Sequence, residues 1–195
     1  MKRMLAVIFA AFAFVCIAGA QDVWNVVPDA SGIVSAFNDA NSRVVSIDCS
    51  FTEEKYVDVL DAKSVSTGHF SFAAPDRILI EYLSPEKSSI SIDGDKMKIV
   101  SEGKESDVNL ASSRQYRRIF SMFSGNSTGK GRLPEAKAFE RPGQYMLVFE
   151  MRQGGLSGTV EAVLRASDMS LESFRMKNGE DYTEFRFTDK VICTE

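Results

Sequence analysis

The chain has 195 residues, 44 % of them apolar and 26 % charged, with a formal net charge of −4. That is the length of one domain, too apolar for a disordered chain and long enough to bury one sizeable core. The acidic balance argues against a nucleic-acid surface, which needs a Lys/Arg face.

In chain order the first element is an export signal. Lys2 and Arg3 precede an apolar run from Leu5 to Ile17, and Ala18-Gly19-Ala20 then offers small residues to a signal peptidase. The pattern predicts a signal peptide over 1–20, cleaved before Gln21, and a single domain over 21–195. Val15 precedes Cys16 and more apolar sequence follows, which is not a lipidation pattern. Without the leader the 23 cations fall to 21 against 27 anions, so the mature chain is more acidic still. No later stretch approaches the apolar length of a membrane-spanning helix.

Residues 29–41 read as a short helix, with Ile33, Val34 and Phe37 on one face. After Arg43 the period changes to two. Val45, Ile47, Cys49 and Phe51 alternate with Ser46, Asp48, Ser50 and Thr52, as in a half-buried strand. Further strands are expected at 55–61, 65–74, 77–83, 88–93, 96–101 and 104–109. Ser84-Pro85-Glu86, Asp93-Gly94-Asp95 and Glu102-Gly103 mark turns between them. Ser112 or Ser113 can cap a helix running to Phe123, with Tyr116, Ile119, Phe120 and Phe123 on one stripe and Arg114, Arg117 and Arg118 mostly off it. A polar loop over 124–131 follows. Strands resume at 136–141, 144–152, 158–166, 170–177 and 181–188, and Asn178-Gly179 is the strongest hairpin signal in the chain.

This periodicity predicts a mainly β fold, a long antiparallel meander of about ten to twelve strands with a few short helices. Twist accumulates over so many strands and the sheet curls. Two short helices are too few to fill the hollow, and an under-filled apolar interior is a pocket for an apolar ligand. A ligand-free sandwich filled by large side chains stays open beside it. Cys49 and Cys193 survive the leader's removal, and export permits a disulfide between them or two free thiols. The only histidine is His69, and there is no Cys/His cluster, so no metal site and no cofactor is expected.

Residues 44–53, Val-Val-Ser-Ile-Asp-Cys-Ser-Phe-Thr-Glu, follow the first helix and resemble the first strand of the periplasmic outer-membrane lipoprotein carriers, the LolA-type family. Thr67-Gly-His-Phe-Ser-Phe-Ala-Ala-Pro-Asp-Arg-Ile-Leu-Ile-Glu-Tyr-Leu-Ser-Pro85 resembles that family's hairpin, with a second Pro ten residues after the first. It continues into Ser89-Ile-Ser-Ile-Asp-Gly94, and Asp168 to Phe187 fits the closing strands. The resemblance covers nearly all of the mature chain.

The resemblance implies an unclosed antiparallel β-barrel with a helical lid, located in the periplasm and acting as a monomer without covalent chemistry. The cargo it implies is the acyl chains of lipoproteins, received from an inner-membrane ATP-driven exporter and delivered to an outer-membrane acceptor. Family members carry an Arg before the first Pro of the hairpin, as a lid latch. Ala74 stands there in this chain and Arg77 faces the other side of the strand, so the latch must differ.

Ile78, Ile80 and Tyr82 alternate at the family's cavity-facing positions, and Phe70, Phe72, Ile90, Ile92, Met97 and Ile99 continue the pattern on neighbouring strands. With Phe51 they form the expected cavity lining, while Ile119, Met122 and Phe123 form the lid's apolar side. For any single one of them, plain core packing is an equal reading. His69 should point outward. Three functions compete. The first is a lipoprotein carrier, or a carrier of another lipid. The second is a half-barrel interaction or sensor module without cargo. The third is a hydrolase, disfavoured because a triad would have to recruit His69.

Overall fold

The computed structural model describes residues 23–110, 136–153 and 156–195, with side chains described except at 151–153 and 156–157. Within these residues the chain forms one twelve-stranded antiparallel sheet and one α-helix. The strands are β1 (Asn25–Val27), β2 (Val44–Val57), β3 (Ala62–Ala73), β4 (Arg77–Ser84), β5 (Ser88–Asp93), β6 (Lys96–Ser101), β7 (Lys104–Asn109), β8 (Ala136–Arg141), β9 (Gln144–Gln153), β10 (Leu156–Arg165), β11 (Leu171–Asn178) and β12 (Asp181–Thr194). The helix α1 spans Ser31–Ser42.

The spatial order is β1-β8-β9-β10-β11-β12-β2-β3-β4-β5-β6-β7. Two meanders, β2 to β7 and β8 to β12, are joined where β12 pairs with β2. β1 and β7 form the two edges and do not pair with each other, so the sheet is not closed. The expected unclosed, mainly β architecture is the one observed.

The strand expected at 55–61 is a correction. β2 runs without a break through Val57, and a 3-10 turn over Asp58–Leu60 then leads into β3. Glu53-Glu54-Lys55 interrupts the apolar alternation, but β3 and β12 hydrogen-bond to both sides of that stretch and hold it extended. β1 was not foreseen, since three residues are too few to show a period. β12 reaches Thr194 because a register shift between Thr188 and Val191 lets pairing with β2 resume.

Asn178-Gly179 closes a hairpin as expected. Asn178 pairs with Asp181, so Gly179 and Glu180 are the turn residues, and Gly179 takes φ +63°. A positive φ at the first central residue is the type II′ pattern, for which Gly is the natural occupant. Pro75 and Pro85 of the resembling hairpin each follow a cis peptide bond.

Two buried clusters lie along one face of the sheet. The first gathers Phe37 of α1 with Ala138, Leu147, Phe149, Val160, Ala162, Leu164 and Phe174, and Ile33 and Val34 pack against it. α1 therefore covers the β8–β11 half, with the face predicted for it. The second cluster belongs to β2–β6 with Leu110, and Phe185 and Phe187 of β12 touch both. The opposite face is mixed, with Val65 and Val191 exposed on it beside polar pairs. It carries Ser71 donating to Asp48 (2.9 Å), Lys98 paired with Glu105 (2.9 Å), and Arg175 and Arg186 on Glu184.

Candidate functional site

Directly paired residues of an antiparallel sheet share a face, so the register reads as rows across the strands. Ile47, Phe72, Ile78, Ile92, Met97 and Val108 form one row of the β2–β7 half. Cys49, Phe70, Ile80, Ile90, Ile99 and Ser106 form the next. Phe51, Gly68, Tyr82, Ser88, Ser101 and Lys104 form a third, and Glu53 with Ser66 begins a fourth. All ten residues expected to line a cavity, Phe51, Phe70, Phe72, Ile78, Ile80, Tyr82, Ile90, Ile92, Met97 and Ile99, fall on this one face, in its first three rows.

The rows form a gradient. The first is wholly apolar and is buried at Phe72, Ile78, Ile92 and Met97. In the second, Cys49 and Phe70 are buried while Ile80, Ile90 and Ile99 are partly exposed. In the third, Phe51 is buried, Tyr82 and Ser88 are partly exposed, and Ser101 and Lys104 are exposed. Polarity and exposure thus rise together along the strands, from the Ile47–Met97 row toward Tyr82 and Glu53.

Rings two strands apart meet over this face. Phe51 of β2 packs edge-on against Tyr82 of β4 at 5.3 Å between centroids, and Phe70 of β3 meets Phe187 of β12 at 6.2 Å. Strands two apart lie about 9.6 Å apart in a flat sheet. Gly68, between β2 and β4, makes the first contact possible. A Cβ there would lie 2.5 Å from Phe51 Cζ and still closer to the carbonyl oxygen of Glu81.

Two ionisable groups stand at the polar end. Glu53 is half-buried on the apolar face, opposite Phe185 in β12 and Ser66 in β3. Burial raises its carboxyl pKa, against the lowering influence of the nearby Tyr82 hydroxyl and the charge of Lys55. The Tyr82 phenol is raised as well, by burial first and then by the neighbouring carboxylate. Glu53 is not among the expected lining residues. Its parity with Ile47, Cys49 and Phe51 was the available signal that it belongs to the inner face.

The open question of the cysteines resolves as two free thiols, Cys49 buried and Cys193 exposed. Cys193 pairs with Ser46 across β12 and β2. Cys49 is three residues further along β2, so its side chain is on the other face and about 10 Å away along the strand. That is beyond the reach of a disulfide.

His69 is exposed on the outer face, between Ser50 and Glu81. Among the described residues no group of three His, Cys, Asp or Glu side chains is placed to hold a metal, and no helix is long and apolar enough to cross a membrane. The lid residues Ile119, Met122 and Phe123, the arginines Arg114, Arg117 and Arg118, and the leader over 1–20 lie outside the described residues. So does Gly125-Asn126-Ser127-Thr128-Gly129, which has the Gly-x-Ser-x-Gly spacing of a hydrolase nucleophile turn.

No family model and no curated protein sequence matches the chain. Solved structures do. A LolA superfamily protein from Nitrosomonas europaea is similar at TM-score 0.47 and 8 % identity, over 87 % of this chain and 96 % of that one. LprF from Mycobacterium bovis is similar at 0.44 and 7 %, over 85 % and 94 %, and the lipoprotein LppX from Mycobacterium tuberculosis at 0.44 and 10 %, over 84 % and 98 %.

Proposed function

We propose that this chain is a non-enzymatic carrier. It takes acyl chains of lipoproteins onto the inner wall of its half-barrel in the periplasm and carries them from an inner-membrane exporter to an outer-membrane acceptor. The observation that supports this reading is the graded wall: a wholly apolar, largely buried row gives way to a partly exposed, mostly apolar row and then to polar positions at one end. Each methylene withdrawn from water onto such a wall is worth about 0.8 kcal/mol. An acyl chain cannot cross an aqueous compartment unaided, and a wall open at one end also permits release to a competitor.

The test uses diphenylhexatriene, an apolar fluorophore without a head group. The protein is expected to bind it saturably, and Ile80→Glu, which puts a carboxylate into the second row, should weaken binding at least about tenfold. Absence of binding by the parent protein would overturn the reading. Mass spectrometry of what co-purifies from the periplasm would then identify the cargo.

One observation favours a second reading, a half-barrel interaction module without cargo. The Phe72–Met97 row is already closed by protein, with Phe72 only 2 % exposed. If the other rows are filled in the same way in solution, the fluorophore has no place to bind.

A further inference from the structure

We propose that Glu53 is the head-group subsite of this wall, and that it selects amphiphiles whose polar head offers hydrogen-bond donors next to the hydrocarbon chain, an ammonium before all. The inference deepens the carrier reading and rests on it.

The placement carries the argument. Glu53 follows Ile47, Cys49 and Phe51 on the same face of β2, and Phe185 stands opposite it in β12. It is therefore the first charge that a chain lying along β2 to β5 meets beyond the hydrocarbon wall, Lys104 of the third row standing at the β7 edge. On β4 the same order ends at Tyr82 after Ile78 and Ile80. On β5 and β6 it ends at Ser88 and Ser101. A chain with its methyl end at the buried Phe72–Met97 row brings its head to Glu53 and Tyr82. The opposite orientation would bury the head among Phe72, Ile78 and Ile92, at a cost of several kcal/mol for an unpaired polar group.

The chemistry of Glu53 fixes the sign. A carboxylate only accepts hydrogen bonds and offers about four lone-pair positions. The register neighbours of Glu53, Ser66 and Phe185, leave these positions open to donors on a ligand. Half-burial strengthens a charge-assisted bond there. Lys55, next on the same face, and Lys104, at the β7 edge of the third row, are exposed and solvated, so they attract an anionic head only weakly. Ser66 and Ser88 are neutral. The mouth of the wall therefore favours donors and disfavours carboxylate heads.

The experiment displaces bound diphenylhexatriene with dodecylamine or dodecanoate, equal in chain length, at pH 7.5 and below their aggregation concentrations. The parent protein should bind the amine about tenfold more tightly than the acid. Glu53→Gln should bring the ratio close to one, and Glu53→Lys should reverse it, an inversion that misfolding cannot produce. Glu54→Gln, on the outer face beside Lys63 and Tyr182, should keep the parent ratio. Diphenylhexatriene binding with equal affinities for amine and acid, or with a ratio that survives Glu53→Lys, would overturn the subsite and leave the carrier reading standing. Failure to bind diphenylhexatriene at all would overturn both.

Discussion

Gly68 and Phe51 show how one residue shapes the wall. Phe51 is buried and its ring lies over the α-carbon of Gly68, its register partner in β3. A methyl group at 68 would meet both that ring and the backbone oxygen of Glu81. The ring can turn aside, but the backbone oxygen cannot without breaking the β3–β4 ladder. Gly68→Ala should therefore cost about 2–3 kcal/mol in urea unfolding. Adding Phe51→Leu should not restore the loss; full restoration would show that the ring alone sets the constraint. Cys49 gives a pH-dependent counterpart. Burial pushes its thiol from 9.0 up to about 11 in the folded chain. The unfolded thiol ionises first, so the stability this contributes is full below pH 9 and is lost as pH rises toward 11. Urea midpoints of the parent should fall more steeply over that window than those of Cys49→Ala. Parallel curves would mean that the folded thiol ionises as readily as the unfolded one.

The elements were legible in the sequence wherever one face was apolar over several residues. β3 to β6 follow the alternation of Phe70, Phe72, Ile78, Ile80, Ile90, Ile92, Met97 and Ile99, and all of these residues fall on the face that the alternation implied. β2 was legible only as far as Thr52. Beyond it Glu53 and Glu54 are chemically alike but face opposite sides, Glu53 across from Phe185 and Ser66 on the inner face and Glu54 against Lys63 and Tyr182 on the outer. Parity with Ile47, Cys49 and Phe51 assigns Glu53 to the inner face only if β2 continues unbroken, and that depends on strand neighbours distant in sequence. α1 was legible from Ile33, Val34 and Phe37, but which strands it would cover was not, because that depends on the β12–β2 junction. Its weight can be measured. Phe37 is 3 % exposed within the β8–β11 cluster, so Phe37→Ala should cost about 3–5 kcal/mol of unfolding free energy. A cost below 1 kcal/mol would detach α1 from the core.

At the scale of the whole molecule the sheet divides its apolar face between two tasks. One half is covered by α1. The other carries the gradient from the Phe72–Met97 row to Glu53. A face used only for folding should lose stability wherever it is truncated, roughly in proportion to the apolar area removed. A face that also receives a ligand should separate the two effects by row. Ile78→Ala and Ile92→Ala lie in the closed row, where each should cost about 2–5 kcal/mol of stability. Ile80→Ala, Ile90→Ala and Ile99→Ala remove partly exposed side chains. They should cost about 1 kcal/mol or less of stability, since water already reaches these positions, yet weaken diphenylhexatriene binding several-fold. Paired measurement of urea midpoint and fluorophore Kd for the five variants decides the matter. If binding tracks stability alone across both rows, the wall is a core and the half-barrel acts without cargo. If the second row moves binding while the first moves stability, the open end of the gradient is where the ligand lies.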